Sequence, residues 1–178
     1  MGFKNKIGVL GGSFDPAHIG HLAISKKAVK EYRLKKLIWA ITLKNPLKKK
    51  NNTSLSERIE SCKKVIKLNN FIKIKFYEKV IKSNKTIDLI NYLKKTTKSE
   101  IYFLMGADNL VNFHKWHMWE TISKKCKIIV FDRHGYKKKS LNSLSYKRLN
   151  GKSLRFIEFN KVNISSSQLR KIWYSIFN

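Results

Sequence analysis

Residues 7–28 read IGVLGGSFDPAHIGHLAISKKA, and three features follow one another within them. The short apolar run Ile7–Leu10 has the length and β-branched character of a buried strand. Gly11 and Gly12 come directly after it; lacking a Cβ, they let a backbone approach a ligand closely and adopt angles that other residues resist. Pro16 has no amide hydrogen and stiffens the loop. Helical character then runs from about Ile19 to Tyr32, with His18 and His21 placed around Gly20 so that they share one face of the first turn. A helix start presents unpaired amides and attracts anions. The order strand, glycines, histidines, helix therefore predicts a phosphate cradle with two imidazoles aimed into it. The plainer alternative is a tight turn whose histidines cap or pack.

The rest of the chain alternates in the same way. Strands are expected at Leu37–Thr42, Phe71–Phe76, Ile101–Met105, Lys127–Phe131 and Leu154–Phe159. Helices are expected at Leu55–Leu68, at Thr86–Lys95 with Thr86 as its cap, at Asn109–Ser123 and at Ser166–Phe177. Residues 133–152 are polar and read as irregular, and the 43–54 loop is rich in Asn and Lys. Strands alternating with helices predict an α/β, doubly wound domain with a mainly parallel sheet. No internal repeat or linker divides it, so residues 1–178 are expected to form a single domain.

Bulk composition narrows the classes. Lys and Arg number 39 against 11 Asp and Glu, a formal charge of +28, which suits phosphate-rich partners. Yet the lysines lie in nearly every segment rather than in one patch, as a general bias toward Lys and Asn would leave them. Cys62 and Cys126 stand far apart, at neither metal nor redox spacing, and read as reduced structural thiols. No apolar run reaches the length of a signal peptide or a membrane span. The expectation is a soluble, cytoplasmic protein without a membrane partner.

In doubly wound sheets ligands bind beyond the carboxyl ends of the strands. A second anion site is expected in NISSSQLRK, residues 163–171, where three serines, Ser165, Ser166 and Ser167, stand at the start of a helix that carries Arg170. An ordinary serine cap is the alternative there. Asp108 follows a strand and the small residues Gly106 and Ala107, placed to accept hydrogen bonds from a ribose or to cap a helix. His114 and His117 are spaced for metal on a helix but lack a third ligand, so no metal site is assigned.

GGSFDPAHIGH and ISSSQLR resemble the two signatures of the HxGH nucleotidyltransferase superfamily, with Ser167 where a threonine is usual. FLMGADNLVNFHKWHMWETI (103–122), KNPLK (44–48), KTIDLINYLK (85–94) and FDRHGY (131–136) are similar to segments of the bacterial nicotinate-nucleotide adenylyltransferase family. The resemblance runs from about Ile7 to Lys171. It implies a Rossmann-like domain of the nucleotidyltransferase type that joins ATP to nicotinate mononucleotide in NAD biosynthesis, giving deamido-NAD and pyrophosphate. It also implies roles. His18 and His21 would be catalytic, with Gly12, Ser13, Asp108, Ser165, Ser166 and Arg170 binding ATP. Asn45, Lys48, Thr86 and Trp116 would bind the mononucleotide, Trp116 by stacking on the pyridine ring; packing in the core is the alternative for Trp116. Mg²⁺ would arrive carried with ATP.

Three rivals remain open on the sequence. Nicotinamide mononucleotide or phosphopantetheine could be the acceptor, and the chain could be a basic nucleic-acid-binding protein. Intact phosphate signatures, and the absence of aromatics interleaved with a basic patch, argue against any specific nucleic acid. The oligomeric state is not legible.

Overall fold

Strands β1 (Lys6–Gly12), β2 (Lys36–Ile41), β4 (Glu100–Gly106) and β5 (Lys127–Phe131) are nearly continuous apolar runs. That composition belongs to parallel strands covered on both faces. The computed structural model describes residues 5–43, 53–67 and 69–158. Within them β3 (Ile72–Lys75) and β6 (Leu154–Ile157) flank the four apolar strands. The sheet order is β3-β2-β1-β4-β5-β6, and every neighbouring pair is parallel. The expected doubly wound architecture is therefore present.

Alternation of side chains sorts the strands into two cores. Ile7, Val9, Ile38, Ala40, Ile101, Phe103, Ile128 and Val130 enter one. That face is covered by α4 (Thr86–Thr97), α5 (Ala107–Val111), α6 (Trp119–Lys125) and α8 (Leu144–Leu149), which contribute Ile90, Leu93, Leu110, Ile122 and Leu149. Leu10, Leu37, Trp39, Ile41, Tyr102, Leu104, Ile129 and Phe131 enter the other. There α1 (Ile19–Tyr32) and α2 (Leu55–Ile66) supply Ala28 and Cys62. Two short helices, α3 (Glu78–Ile81) and α7 (Lys137–Leu141), complete the described elements.

Trp39 is the largest fully buried side chain, and its indole N–H needs an acceptor. Ser25 Oγ accepts it at 2.9 Å and its own O–H donates to the His21 carbonyl at 2.7 Å. This relay pins the first turn of α1 to β2. Cys62 and Cys126 are also buried, and burial pushes both thiols up to about 12, which removes them as nucleophiles at neutral pH.

Several local expectations differ from what the tertiary structure enforces. The helix expected over 109–123 is broken into α5, a 3₁₀ turn (Phe113–Lys115) and α6. The His114 N–H donates to Ser145 Oγ of α8 at 2.9 Å instead of to a carbonyl one turn back. Met118 then takes a left-handed backbone, φ 54°, before α6 begins. His114 and His117 consequently do not share one helix, which removes the spacing argument for metal. Lys85, not Thr86, is the N-cap residue of α4, and it makes no side-chain cap bond. The polar stretch 133–152 contains α7 and α8. The closing helix expected over 166–177 lies outside the described residues. Among those residues no helix is long and apolar enough to cross a membrane.

Ser25→Ala should orphan the buried indole N–H and cost about 1–3 kcal/mol. Urea unfolding should show this as a lowered midpoint with an unchanged slope.

Candidate active site

The carboxyl ends of β1 and β4 diverge at the sheet's centre, where the order reverses. This is the position at which a doubly wound sheet opens a crevice. Gly12, Ser13, His18 and His21 stand together on the segment leaving β1. His18 is the N-cap of α1 and has an extended backbone. Its Nδ1 accepts the Gly20 N–H at 3.1 Å, while the His18 N–H donates to His21 Nδ1 at 3.2 Å. The result is a reciprocal capping box built from two imidazoles rather than from Ser and Glu. The ring centroids lie 3.9 Å apart. Because both Nδ1 atoms accept, each neutral ring carries its proton on Nε2. The sequence places the histidines on one turn correctly, but Gly20's amide is engaged by His18 rather than held open for an anion.

The glycines behave differently from expectation. Gly11 and Gly12 both lie in β1 and neither has a positive φ. A Cβ on Gly11 would come within 3.4 Å of the Phe103 ring, and one on Gly12 within 3.5 Å of the Phe14 ring. At those separations a Cβ would be in ordinary contact with either ring, so neither ring by itself demands glycine. The left-handed turn falls on Phe14, φ 49°, a conformation that disfavours a side chain by about 1–2 kcal/mol. The Phe14 ring offsets this by stacking on Trp39, centroids 4.9 Å apart and 16° between planes, and it lies 4.9 Å from the His21 ring.

At the ends of β4 and β5, Asp108 pairs with Arg133, Oδ2 to Nη1 at 2.5 Å. Asp108 Oδ1 is buried and has no partner among the described residues, and the same holds for Asp132 Oδ1. Asp108 is not a helix cap: Gly106 occupies that position in α5. The half-buried Trp116 packs edge-on against Phe113 (5.3 Å) and Phe103 (6.1 Å). Phe103 in turn lies against Gly11, so Trp116 belongs partly to the core and is linked to the end of β1 through one ring. Thr86 opens α4, half-buried. Asn45, Lys48, Ser165, Ser166 and Arg170 lie outside the described residues.

Two functional candidates escaped the sequence reading. Arg133 was passed over within FDRHGY, although a cation directly after a strand was the available signal. Arg58 lies within the helix expected over Leu55–Leu68. Yet it sits three residues after Leu55 and four before Cys62, on the apolar stripe of α2, where a charge is out of place. It is only 2% exposed. Glu78 of α3 holds the end of β2, accepting from Thr42 Oγ1 and from the Leu43 N–H. Among the described residues no group of three or more His, Cys, Asp or Glu could hold a metal ion.

Comparison with known proteins fits this geometry. The cytidylyltransferase-like family pattern matches residues 9–172. The chain is 64% identical over 169 residues to a Pelagibacter ubique (strain HTCC1062) protein named "Probable nicotinate-nucleotide adenylyltransferase", covering 95% of this chain and 94% of that one. It is 39% identical over 140 residues to a protein of the same name from Bradyrhizobium sp. (strain ORS 278), covering 78% of this chain and 72% of that one. Its fold is similar to that of the Plasmodium falciparum nicotinic acid mononucleotide adenylyltransferase complexed with NaAD. There the TM-score is 0.75 at 22% identity, over 94% of this chain and 83% of that one.

A Cβ on Gly106 would lie 2.5 Å from Asp108 Oδ1. Gly106→Ala should therefore displace the carboxylate from Arg133 and cost about 1–3 kcal/mol. In an Asp108→Ala background the same change should cost far less, because the clashing oxygen is gone; urea unfolding of the four-member cycle measures this.

Proposed function

The chain belongs to the cytidylyltransferase-like family, among its nicotinate-nucleotide adenylyltransferases, and on that footing we propose that it transfers AMP from ATP to nicotinate mononucleotide. The products are deamido-NAD and pyrophosphate, and the role is NAD biosynthesis. On this reading residues 1–178 act as one nucleotidyltransferase domain. The observation that carries the proposal is the imidazole pair at the end of β1, closed into a cap by its Nδ1 atoms at the point where the strand order reverses.

A phosphate oxygen of the mononucleotide attacks the α-phosphorus of ATP. The new P–O bond forms as the bond to the β-phosphate oxygen breaks, and pyrophosphate leaves with that electron pair. The nucleophile is already an anion, so no activated Ser or Cys is needed, and the two buried thiols are correspondingly inert. Catalysis is alignment and neutralisation of charge. His18 and His21 donate from Nε2 to the phosphates, held in that tautomer by the cap. Main-chain amides near Gly12 and Ser13 add donors, and Ser165, Ser166 and Arg170 grip the triphosphate. Asp108 Oδ1, buried beside the Arg133 pair, accepts from a ribose hydroxyl. Trp116 stacks on the pyridine ring near Thr86, and Asn45 and Lys48 reach the mononucleotide phosphate. Mg²⁺, if carried in with ATP, would supply charge neutralisation on the triphosphate.

Pyrophosphate release should be measured with ATP, Mg²⁺ and, separately, nicotinate mononucleotide, nicotinamide mononucleotide and phosphopantetheine. Preference for the first is expected; preference for another acceptor would move the pathway while keeping the chemistry. His18→Ser keeps a capping oxygen and loses the imidazole, so its stability should stay near wild type. Its kcat should fall about 10²–10³-fold, the scale of losing one transition-state donor. Undiminished turnover would remove His18 from the mechanism.

A further inference from the structure

We infer that Arg58 is a positioning residue for the phosphate-binding loop, an inference that rests on the transfer reading above. Its Nη1 donates to the Ser13 carbonyl at 2.8 Å and to the Thr42 carbonyl at 2.7 Å, and its Nε donates to the Ser54 carbonyl at 3.3 Å. Ser13 and Thr42 are the first residues beyond β1 and β2. The last main-chain bond joining these strands runs from the Thr42 N–H to the Gly12 carbonyl at 3.0 Å. The guanidinium therefore bridges the two chains at the place where sheet bonding stops and they diverge. Thr53 Oγ1, from the segment leading into α2, donates to Asp15 Oδ1 at 2.8 Å and ties the same loop a second time.

The effect on the site follows from the planarity of the peptide group. A trans peptide points its C=O and N–H in opposite directions. By holding the Ser13 carbonyl, Arg58 turns the Phe14 N–H away from itself and fixes the peptide plane that precedes Phe14's left-handed backbone. Phe14 then meets both Trp39 and His21, whose own ring centroids lie 5.9 Å apart, so the three rings form one cluster. Arg58 thus reaches the imidazole pair through one peptide and one ring contact, and touches no reacting atom. Nη1 serves both strand-end carbonyls with its two N–H groups while Nε holds the Ser54 carbonyl, so one rigid planar group fixes three acceptors relative to one another; an ammonium is a compact point donor on a flexible stem and fixes no such angle. In a chain with 33 Lys and 6 Arg, arginine stands where the bridge requires it.

The test compares wild type with Arg58→Lys, which keeps the charge and loses the fork. Three quantities are read: the thermal midpoint, Mg-ATP affinity by calorimetry without an acceptor, and kcat and KM for both substrates. We expect a folded variant with ATP affinity down about 10-fold and kcat down about 10²-fold, the scale of a small misplacement of the site. The mononucleotide KM should change far less than kcat. Guanidinium ion should restore part of the kcat in Arg58→Ala, while methylammonium should not. Wild-type ATP affinity and kcat in Arg58→Lys would overturn the inference, as would losses that merely track the unfolded fraction. If wild type binds ATP but turns over no acceptor, the transfer reading fails and the ATP-affinity comparison still decides Arg58. If wild type binds no ATP, both fall.

Discussion

A strand hydrogen-bonded along both edges and covered on both faces has no place for a polar side chain along its length. β1 is such a strand: it lies between β2 and β4, and Ile7, Val9 and Leu10 are buried. Polar chemistry is thereby displaced past its carboxyl end, where main-chain bonding stops. Ser13, Asp15, His18 and His21 all fall within the next ten residues. The neighbouring strands release their polar residues at the same end, Thr42 after β2, Asp108 after β4, and Asp132 and Arg133 after β5. Burial of the sheet and concentration of the site are one constraint seen from two directions.

At that end the groups that stabilise the fold and those that would meet the ligand are the same. The α1 cap uses the two imidazoles, so their orientation is set before any substrate arrives. The same turn is held from beneath by the Trp39–Ser25–His21 relay and from the side by Phe14. Preorganisation of this kind matters for a reaction whose catalysis is mostly alignment. It also places a left-handed phenylalanine, an unfavourable conformation on its own, where stacking and the Arg58 bridge hold it.

Periodicity and local chemistry made much of this legible. The strand runs, the helix after the glycines and the histidine spacing are short-range patterns, and the parallel α/β class follows from their alternation. Contacts between distant segments were not legible. Phe113, Trp116 and Glu120 follow helical spacing in the sequence. However, Phe113 takes Trp116 and Trp119 edge-on, and Ser145 accepts from the His114 amide, so the helix is interrupted. The Gly11–Gly12 pair reads as able to adopt angles other residues resist, but both glycines continue β1 and the left-handed residue is Phe14.

The amino-acid sequence by itself determined the class of sheet, the end at which polar residues gather and the spacing of the imidazole pair there, because each rests on neighbours within a few residues. Tertiary structure alone decided that Asp108 pairs with Arg133 and that Arg58 crosses from α2 to bridge the ends of β1 and β2. Those contacts join residues up to 45 positions apart. Hydrogen-bond geometry between such residues exists only once the sheet has brought them together.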